Sequence, residues 1–448
     1  MSTPSGPDGL LTAALDQQIV ALNLEDGEPP QVPESVAMRR RRRGAARGSM
    51  LATVSLVRID GVLRWTYRRP PRAVGPRRAR RASGGLVRGE TVRSFSFREI
   101  PPNKVVEKLE ELDTKLTPDR GLRRWSDGKL KPIKTPDATP RTLLIIHGTF
   151  SKAEVMFDEL QTSPEGKAFL KKAQSEYKQI LAFDHPTLSI SPVLNAIDLD
   201  RMLAGYKGVI DVVCHSRGGL VAAWWMKLGA RNVGKVVFVG SPLEGTSLAA
   251  PARLKESLDV LANIADAGQT MANVGGVIVP WASPLLGVAA GLMQALGAVL
   301  SIGARSSLLD AGVAVVAGLA SQSRVRNNQE LLRLHEDIWP SHPTCFGVIS
   351  DFEPSNPDDQ WWQFWKKLRR PALTLANAAV DPIFDGPNDM VVDNSSMTRL
   401  LNKTFPGGQV YDFRTNGRVH HCNYFAQPET ATFLSKTLVT SKLASSSR

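Results

Sequence analysis

The stretch Val209-Ile210-Asp211-Val212-Val213-Cys214-His215-Ser216-Arg217-Gly218-Gly219-Leu220-Val221 decides how this chain is read. Val209, Ile210, Val212 and Val213 are β-branched, the composition of a buried strand. The run stops on Ser216, between two bulky residues, and a glycine pair follows that permits a tight, strained turn. Leu220 through Leu228 then resume as a helix. Strand, sharp turn and helix together leave the serine hydroxyl at the tip of a sheet, the pattern of a nucleophile elbow. A hexapeptide of this kind also occurs where a serine merely caps a strand end. The reading therefore depends on what the rest of the chain supplies.

Upstream, Leu143-Leu144-Ile145-Ile146-His147-Gly148-Thr149-Phe150 is a short apolar run opening into His-Gly, which suits an oxyanion-hole loop; alone it is any buried parallel strand followed by a loop. Downstream, Asp385-Gly386-Pro387-Asn388-Asp389-Met390-Val391-Val392 sets a carboxylate in a turn beside a β-branched pair. Further on, Arg418-Val419-His420-His421-Cys422-Asn423-Tyr424-Phe425 places two of the seven histidines just before a C-terminal helix. A serine hydroxyl is a weak nucleophile near neutral pH. It needs a histidine to take its proton, and the imidazole needs an acceptor to fix its tautomer. All three residue types are present, in the order Ser, acid, His.

With these residues the chain resembles the α/β-hydrolase superfamily, in particular its bacterial lipase- and esterase-like serine hydrolases. Their chain order is the one found here and differs from the orders of chymotrypsin-like and subtilisin-like enzymes. Val237-Phe238-Val239-Gly240-Ser241-Pro242-Leu243-Glu244-Gly245-Thr246-Ser247 adds a similar Pro-x-x-Gly turn after the strand that follows the elbow helix. The resemblance spans about residues 140 to 442. It implies an α/β fold, a mostly parallel sheet with helices on both faces and a large apolar helical cap insertion, working without cofactor or metal. It assigns nucleophile, base and acid to Ser216, His421 and Asp389. His420 is the alternative base, and Asp385 and Asp393 read as loop residues. The oxyanion would be held by the backbone N–H groups of Thr149 and Arg217, with Phe150 the alternative to Thr149. One departure is Cys214, where most elbows have glycine.

The charge is local. Residues 39 to 98 hold 18 arginines, no lysine and only Asp60 and Glu90, a net of +16 against +13 for the whole chain, so the remainder is slightly acidic. Arg39 to Arg43 and the cluster Arg77, Arg78, Arg80 and Arg81 lie among glycine, proline and alanine, a composition that suggests mobile arms. Between them, residues 53 to 67 read as a β-hairpin with an Asp60-Gly61 turn. Arginine arms bind anionic surfaces. Without an aromatic stacking platform, zinc pattern or helix-turn-helix the segment argues against nucleic acid, and an anionic membrane surface suits a lipid-directed hydrolase better. The solvated tail is the plain alternative.

The expected organisation is an arginine-rich, largely flexible region over 1–100, a linker over 101–139, a catalytic domain over 140–442 with its cap insertion at 246–340, and a tail at 443–448. Val274 to Ala304 contains no charged residue, long enough for a membrane span. Pro280, Pro284 and the glycines favour short helices forming a cap instead, an apolar surface for an acyl chain. The cluster Trp361-Trp362-Gln363-Phe364-Trp365 reads as helix packing. Helices are expected over 157–177, 192–205 and 428–441, and strands over 179–184, 235–239, 344–349 and 409–413. Three cysteines form no disulfide framework, and the N-terminus shows no signal peptide, so a cytoplasmic protein is expected. The functional expectation is cleavage of a hydrophobic carboxylic ester or lipid through an acyl-Ser216 intermediate. The alternatives are an amidase, thioesterase or acyltransferase with the same three residues, and a catalytically silent scaffold that binds anionic membrane or polyanion through its arginines.

Overall fold

The run Ile210–His215, rich in branched apolar residues, forms strand β8 near the centre of an eight-stranded sheet, buried along nearly its whole length. The computed structural model describes residues 7–25, 51–70, 89–138, 141–230, 232–250, 253–275, 282–300, 316–324, 328–336, 343–354, 384 and 386–439. The chain divides into two compact units, one made of Met1–Leu109 and Lys255–Gly312, the other of Glu110–Leu254 and Val313–Arg448.

The second unit carries the large sheet. Its strands are β4 (Gly121–Ser126), β5 (Lys129–Pro132), β6 (Thr142–Ile146), β7 (Gln179–Asp184), β8, β9 (Val233–Val239), β10 (Thr344–Phe352) and the strand Val410–Asn416. Across the sheet they run β5-β4-β7-β6-β8-β9-β10 and then Val410–Asn416. The six strands from β7 to Val410–Asn416 are parallel, and β4 and β5 add an antiparallel edge. Helices α3 (Ala153–Leu160) and α4 (Pro164–Glu176) and the C-terminal helix Pro428–Leu438 share one apolar core against the sheet; α5 (Pro192–Met202) and α6 (Gly218–Lys227) share another. This is the α/β-hydrolase fold. After β7 the chain crosses back to β8 on the other side of β6, so the strand order reverses between β6 and β8. Ligands of open α/β sheets bind outside the carboxyl ends of the strands at such a point, and here His147 and Ser216 follow those ends directly.

Several boundaries differ from the sequence expectation. The sheet begins inside the stretch read as a linker, since β4 pairs with β7 and β5 with β4. The single helix expected over 157–177 is two, because Ser163 caps α4 by accepting the Gly166 N–H at 3.1 Å and Pro164 opens its first turn.

In the first unit the hairpin is present, with β1 (Leu51–Ile59) and β2 (Val62–Arg68) joined by Asp60 and Gly61, both at positive φ. It gains a third strand, β3 (Glu90–Arg98), in the order β2-β1-β3, and a helix α1 (Pro7–Ala21). The described helices of the apolar insertion, α7 (Leu254–Gly275) and α8 (Ala282–Leu300), group with these N-terminal elements and not with the large sheet. The arginine runs 39–43 and 77–81 and the tryptophan cluster at 361–365 lie outside the described residues. Among the described residues no helix is long and apolar enough to cross a membrane.

Candidate active site

Ser216 closes β8 in a left-handed backbone conformation, φ +52°, which a non-glycine residue adopts only where its surroundings enforce it. Its N–H donates to the Val239 carbonyl at 2.9 Å, and its carbonyl accepts the Gly219 N–H at 2.9 Å. The turn is so close to β6 that a Cβ on Gly218 would lie 2.5 Å from the Ile146 carbonyl, and one on Gly148 would lie 2.6 Å from Ser216 Cβ. Cys214, two residues before the serine, needs no such relief: it is buried in the strand with its Sγ toward the Val237 carbonyl, 3.5 Å away.

The structure brings Ser216, His421 and Asp389 into one hydrogen-bonded chain. His421 Nε2 lies 2.9 Å from Ser216 Oγ, and His421 Nδ1 lies 2.8 Å from Asp389 Oδ2. Asp389 is fully buried, and every side of its carboxylate is engaged. Oδ1 accepts the N–H groups of Val391 and Val392 at 3.1 and 2.8 Å, while Oδ2 also accepts the Tyr424 hydroxyl at 3.0 Å. The His421 N–H donates to the Asp389 carbonyl at 3.0 Å, joining the two backbones as well. A carboxylate at Nδ1 places the ring proton there and leaves the Nε2 lone pair facing the serine hydroxyl.

His420, the alternative base, points elsewhere. Burial pushes it down to about 4, its Nδ1 accepts the Cys422 N–H at 3.3 Å, and its ring meets the edge of Phe352. Asp393 pairs with Arg324 at 3.0 Å, and Asp385 lies outside the described residues. For the oxyanion site, Phe150 N–H is occupied by Thr187 Oγ1 at 3.3 Å. Thr149 and Arg217 stand at the ends of β6 and β8 with no backbone N–H bond of their own among the described residues. His147 accepts the His185 N–H at Nε2, 3.1 Å, and its Nδ1 lies 2.9 Å from the Gly148 carbonyl. It is thereby a neutral strut of the loop, and burial pushes it below its ordinary value.

Sequence reasoning missed three supports. Tyr424 holds Asp389 from three residues beyond His421, inside the stretch quoted for its histidines. His215 Nε2 lies 2.8 Å from the His421 carbonyl, and burial pushes that ring down to about 3, so it donates as a neutral imidazole. Glu159 on α3 is buried and accepts the backbone N–H groups of Phe425 and Ala426 beneath the histidine loop. Among the described residues no cluster of His, Cys, Asp and Glu could hold a metal ion.

A family model described as "Domain of unknown function (DUF7379)" matches residues 115–439, almost three quarters of the chain. The chain belongs to this family. The DUF7379 match takes in all eight strands of the large sheet and every residue of the hydrogen-bonded chain. No curated protein matches the sequence. Among solved structures, the chain is similar to lipase BlEst2 of Bacillus licheniformis in mature form, 14% identical, covering 69% of this chain and 96% of that one with a TM-score of 0.32. Lipase 1 from Pelosinus fermentans is 11% identical over 68% of this chain and 100% of that one, TM-score 0.39. EstA from Clostridium botulinum is 14% identical over 76% and 99%, TM-score 0.36.

Proposed function

We propose that this protein is a serine hydrolase that cleaves a carboxylic ester through an acyl-Ser216 intermediate. The observation that carries the reading is the chain Ser216 Oγ, His421 Nε2, His421 Nδ1, Asp389 Oδ2, with both contacts between 2.8 and 2.9 Å. His421 takes the proton as Ser216 Oγ attacks the ester carbonyl, and Asp389 stabilises the imidazolium without itself being protonated. The carbonyl oxygen, now negative, receives the N–H groups of Thr149 and Arg217. His421 then protonates the departing alcohol, and a water activated by the same imidazole releases the acid. Removing one oxyanion donor typically costs about 3 kcal/mol. A hydrophobic or lipid ester fits the proposal as substrate class, and the arginine-rich residues 39–98 fit peripheral contact with an anionic membrane.

The test is labelling of the purified protein with a fluorophosphonate probe, the adduct located by peptide mass spectrometry, with His421→Ala as control. Labelling on Ser216 that is lost in the variant, together with turnover of short-chain esters that Ser216→Ala abolishes, is expected. A protein that neither labels nor turns over ester, with detergent or anionic vesicles present, would refute the reading.

A further inference from the structure

The residue after the nucleophile carries a buried charge with almost nothing to bind. Arg217 is fully buried. Its Nη2 donates to the Ile190 carbonyl, whereas Nε and Nη1 have no hydrogen-bond partner. The two carboxylates whose charge it feels, Asp113 and Glu330, reach it through space and not through a hydrogen bond. Asp113, on helix α2 (Val105–Leu116), is committed elsewhere: its oxygens accept the N–H groups of Thr187, Leu188 and Ser189 and the Ser189 hydroxyl. Glu330, on the helix Gln329–His335, leaves Oε2 unpartnered, and burial raises its carboxyl above the ordinary value. In the loops after β6 and β7 stand His147 and His185, stacked at 4.2 Å; burial lowers both, and the Arg217 charge acts on them in the same direction. The field of the guanidinium therefore extends to the loop that faces Ser216.

A buried cation with unused donors is costly to keep, and its one hydrogen bond, to a carbonyl, could be made by a neutral side chain. What only a charge supplies is potential, and this charge is tethered about 6 Å from the Arg217 N–H, the donor proposed above for the oxyanion. We propose that the Arg217 guanidinium is an electrostatic component of the oxyanion site. It stands behind the N–H donors and stabilises, through the low-dielectric interior, the negative charge that gathers on the carbonyl oxygen in the transition state. It acts through its field and does not touch substrate. The inference rests on the ester-hydrolase reading and adds a third contribution to the two N–H groups.

At about 6–9 Å and an effective dielectric of about 20, a unit charge changes a rate by roughly 20- to 100-fold, and the opposing charges of Asp113 and Glu330 bring this nearer tenfold. The experiment measures kcat and KM for one soluble ester, from about pH 6 to about pH 10, in wild type, Arg217→Met and Arg217→Lys. Arg217→Met should lose about 10- to 100-fold in kcat with KM little changed. Burial lowers Arg217 only to about 10, so wild type keeps its charge over most of this range. A lysine starts about two units lower and feels the same burial, so it should lose its proton near pH 8. Arg217→Lys should thus match wild type at about pH 6.5 and fall to the Arg217→Met level by about pH 9.5.

A steric role would give Arg217→Lys a defect of the same size at every pH. That result, or wild-type kcat in folded Arg217→Met, overturns the proposal while leaving the ester-hydrolase reading intact. A wild type without ester turnover overturns both. Should Arg217→Met not fold, the titration of Arg217→Lys decides alone, since the comparison is internal to one protein.

Discussion

Replacing Gly240 by alanine should disable the site without removing any group that takes part in it. Gly240 follows β9 at φ +56°, where an L side chain costs about 1–2 kcal/mol. A Cβ there would lie 2.8 Å from Tyr424 Cε2, 3.1 Å from Asp389 Oδ2 and 3.3 Å from His421 Nδ1. Carbon atoms in contact settle at about 3.5–4.0 Å, so the Tyr424 ring has to retreat by roughly 1 Å. Tyr424 is fully buried, and its hydroxyl bonds Asp389 Oδ2, the atom that also receives His421 Nδ1–H. The ring cannot withdraw without dragging the acid away from the histidine.

A displacement of about 1 Å in such a constellation costs on the order of a hundredfold in rate. Gly240→Ala should therefore lower kcat for a chromogenic ester about 100-fold with KM little changed. Its melting temperature should fall by roughly 5–10 °C, corresponding to about 2–3 kcal/mol. Gly386→Ala is the control. It sits three residues before Asp389, yet a Cβ there meets nothing within 4 Å, and its activity should stay within about twofold of wild type. The assay is steady-state kinetics with circular dichroism to confirm folding. Folded Gly240→Ala with near wild-type kcat would refute the claim that the turn after β9 holds the Asp389–His421 contact.

Tyr424→Phe removes one of the donors to Asp389 Oδ2 and should lower kcat about tenfold while the melting temperature moves little, as steady-state kinetics and a thermal melt will show. Burial raises the Glu159 carboxyl to about 8, so the native state holds a proton that the unfolded chain gives up near pH 4.5. The stability this lends is fully present below about pH 4.5 and lost as pH rises through about 8, by at most roughly 5 kcal/mol. Urea midpoints at about pH 5 and pH 9 should then fall for wild type and stay closer together in Glu159→Gln. Asn263→Ala strips both hydrogen bonds from the Leu63 backbone, 3.0 and 2.8 Å, and should destabilise the first unit by about 1–3 kcal/mol. Hydrogen exchange at the Leu63 and Trp65 amides would register it, and unchanged protection there would refute it.

The parts of this site that could be read from the sequence are those whose chemistry and chain neighbourhood coincide. Ser216 is legible because the strand before it, the turn and the helix after it are contiguous, and because an acid and a histidine follow in the order the elbow reading requires. His421 and Asp389 are legible as types in an order, but the choice between His421 and His420 turns on which ring faces Phe352, a contact between residues 68 positions apart. The supports are illegible for the same reason. Asp113 braces residues 187 to 189 and Glu159 braces 425 and 426, each across a long separation, by accepting backbone N–H groups that any sequence would offer. No periodicity marks a carboxylate that does this.

The apolar insertion shows the same limit at the scale of a whole unit. Its charge-free span reads as a cap, yet α8 within that span lies against α1, β1 and β2, and the polar residues of α7 that precede it bind the edge of β2. β2 is an edge strand, and an unpaired edge exposes backbone groups that must be satisfied. Asn263 meets Leu63 as a neighbouring strand would, accepting its N–H at 3.0 Å and donating to its carbonyl at 2.8 Å. Asp259, one turn earlier on the same helix face, accepts the Trp65 N–H at 2.7 Å, and Asp266 pairs with Arg58 at 3.1 Å. Asn263 and Asp259, one helical turn apart, thus stand in for a fourth strand, and Asp266 adds an ion pair to β1. An insertion near residue 260 and a hairpin near residue 60 form one unit through the packing of α8 on β1 and β2 together with hydrogen bonding from α7 to the backbone of β2, and the second of these leaves no hydrophobic signature in either segment.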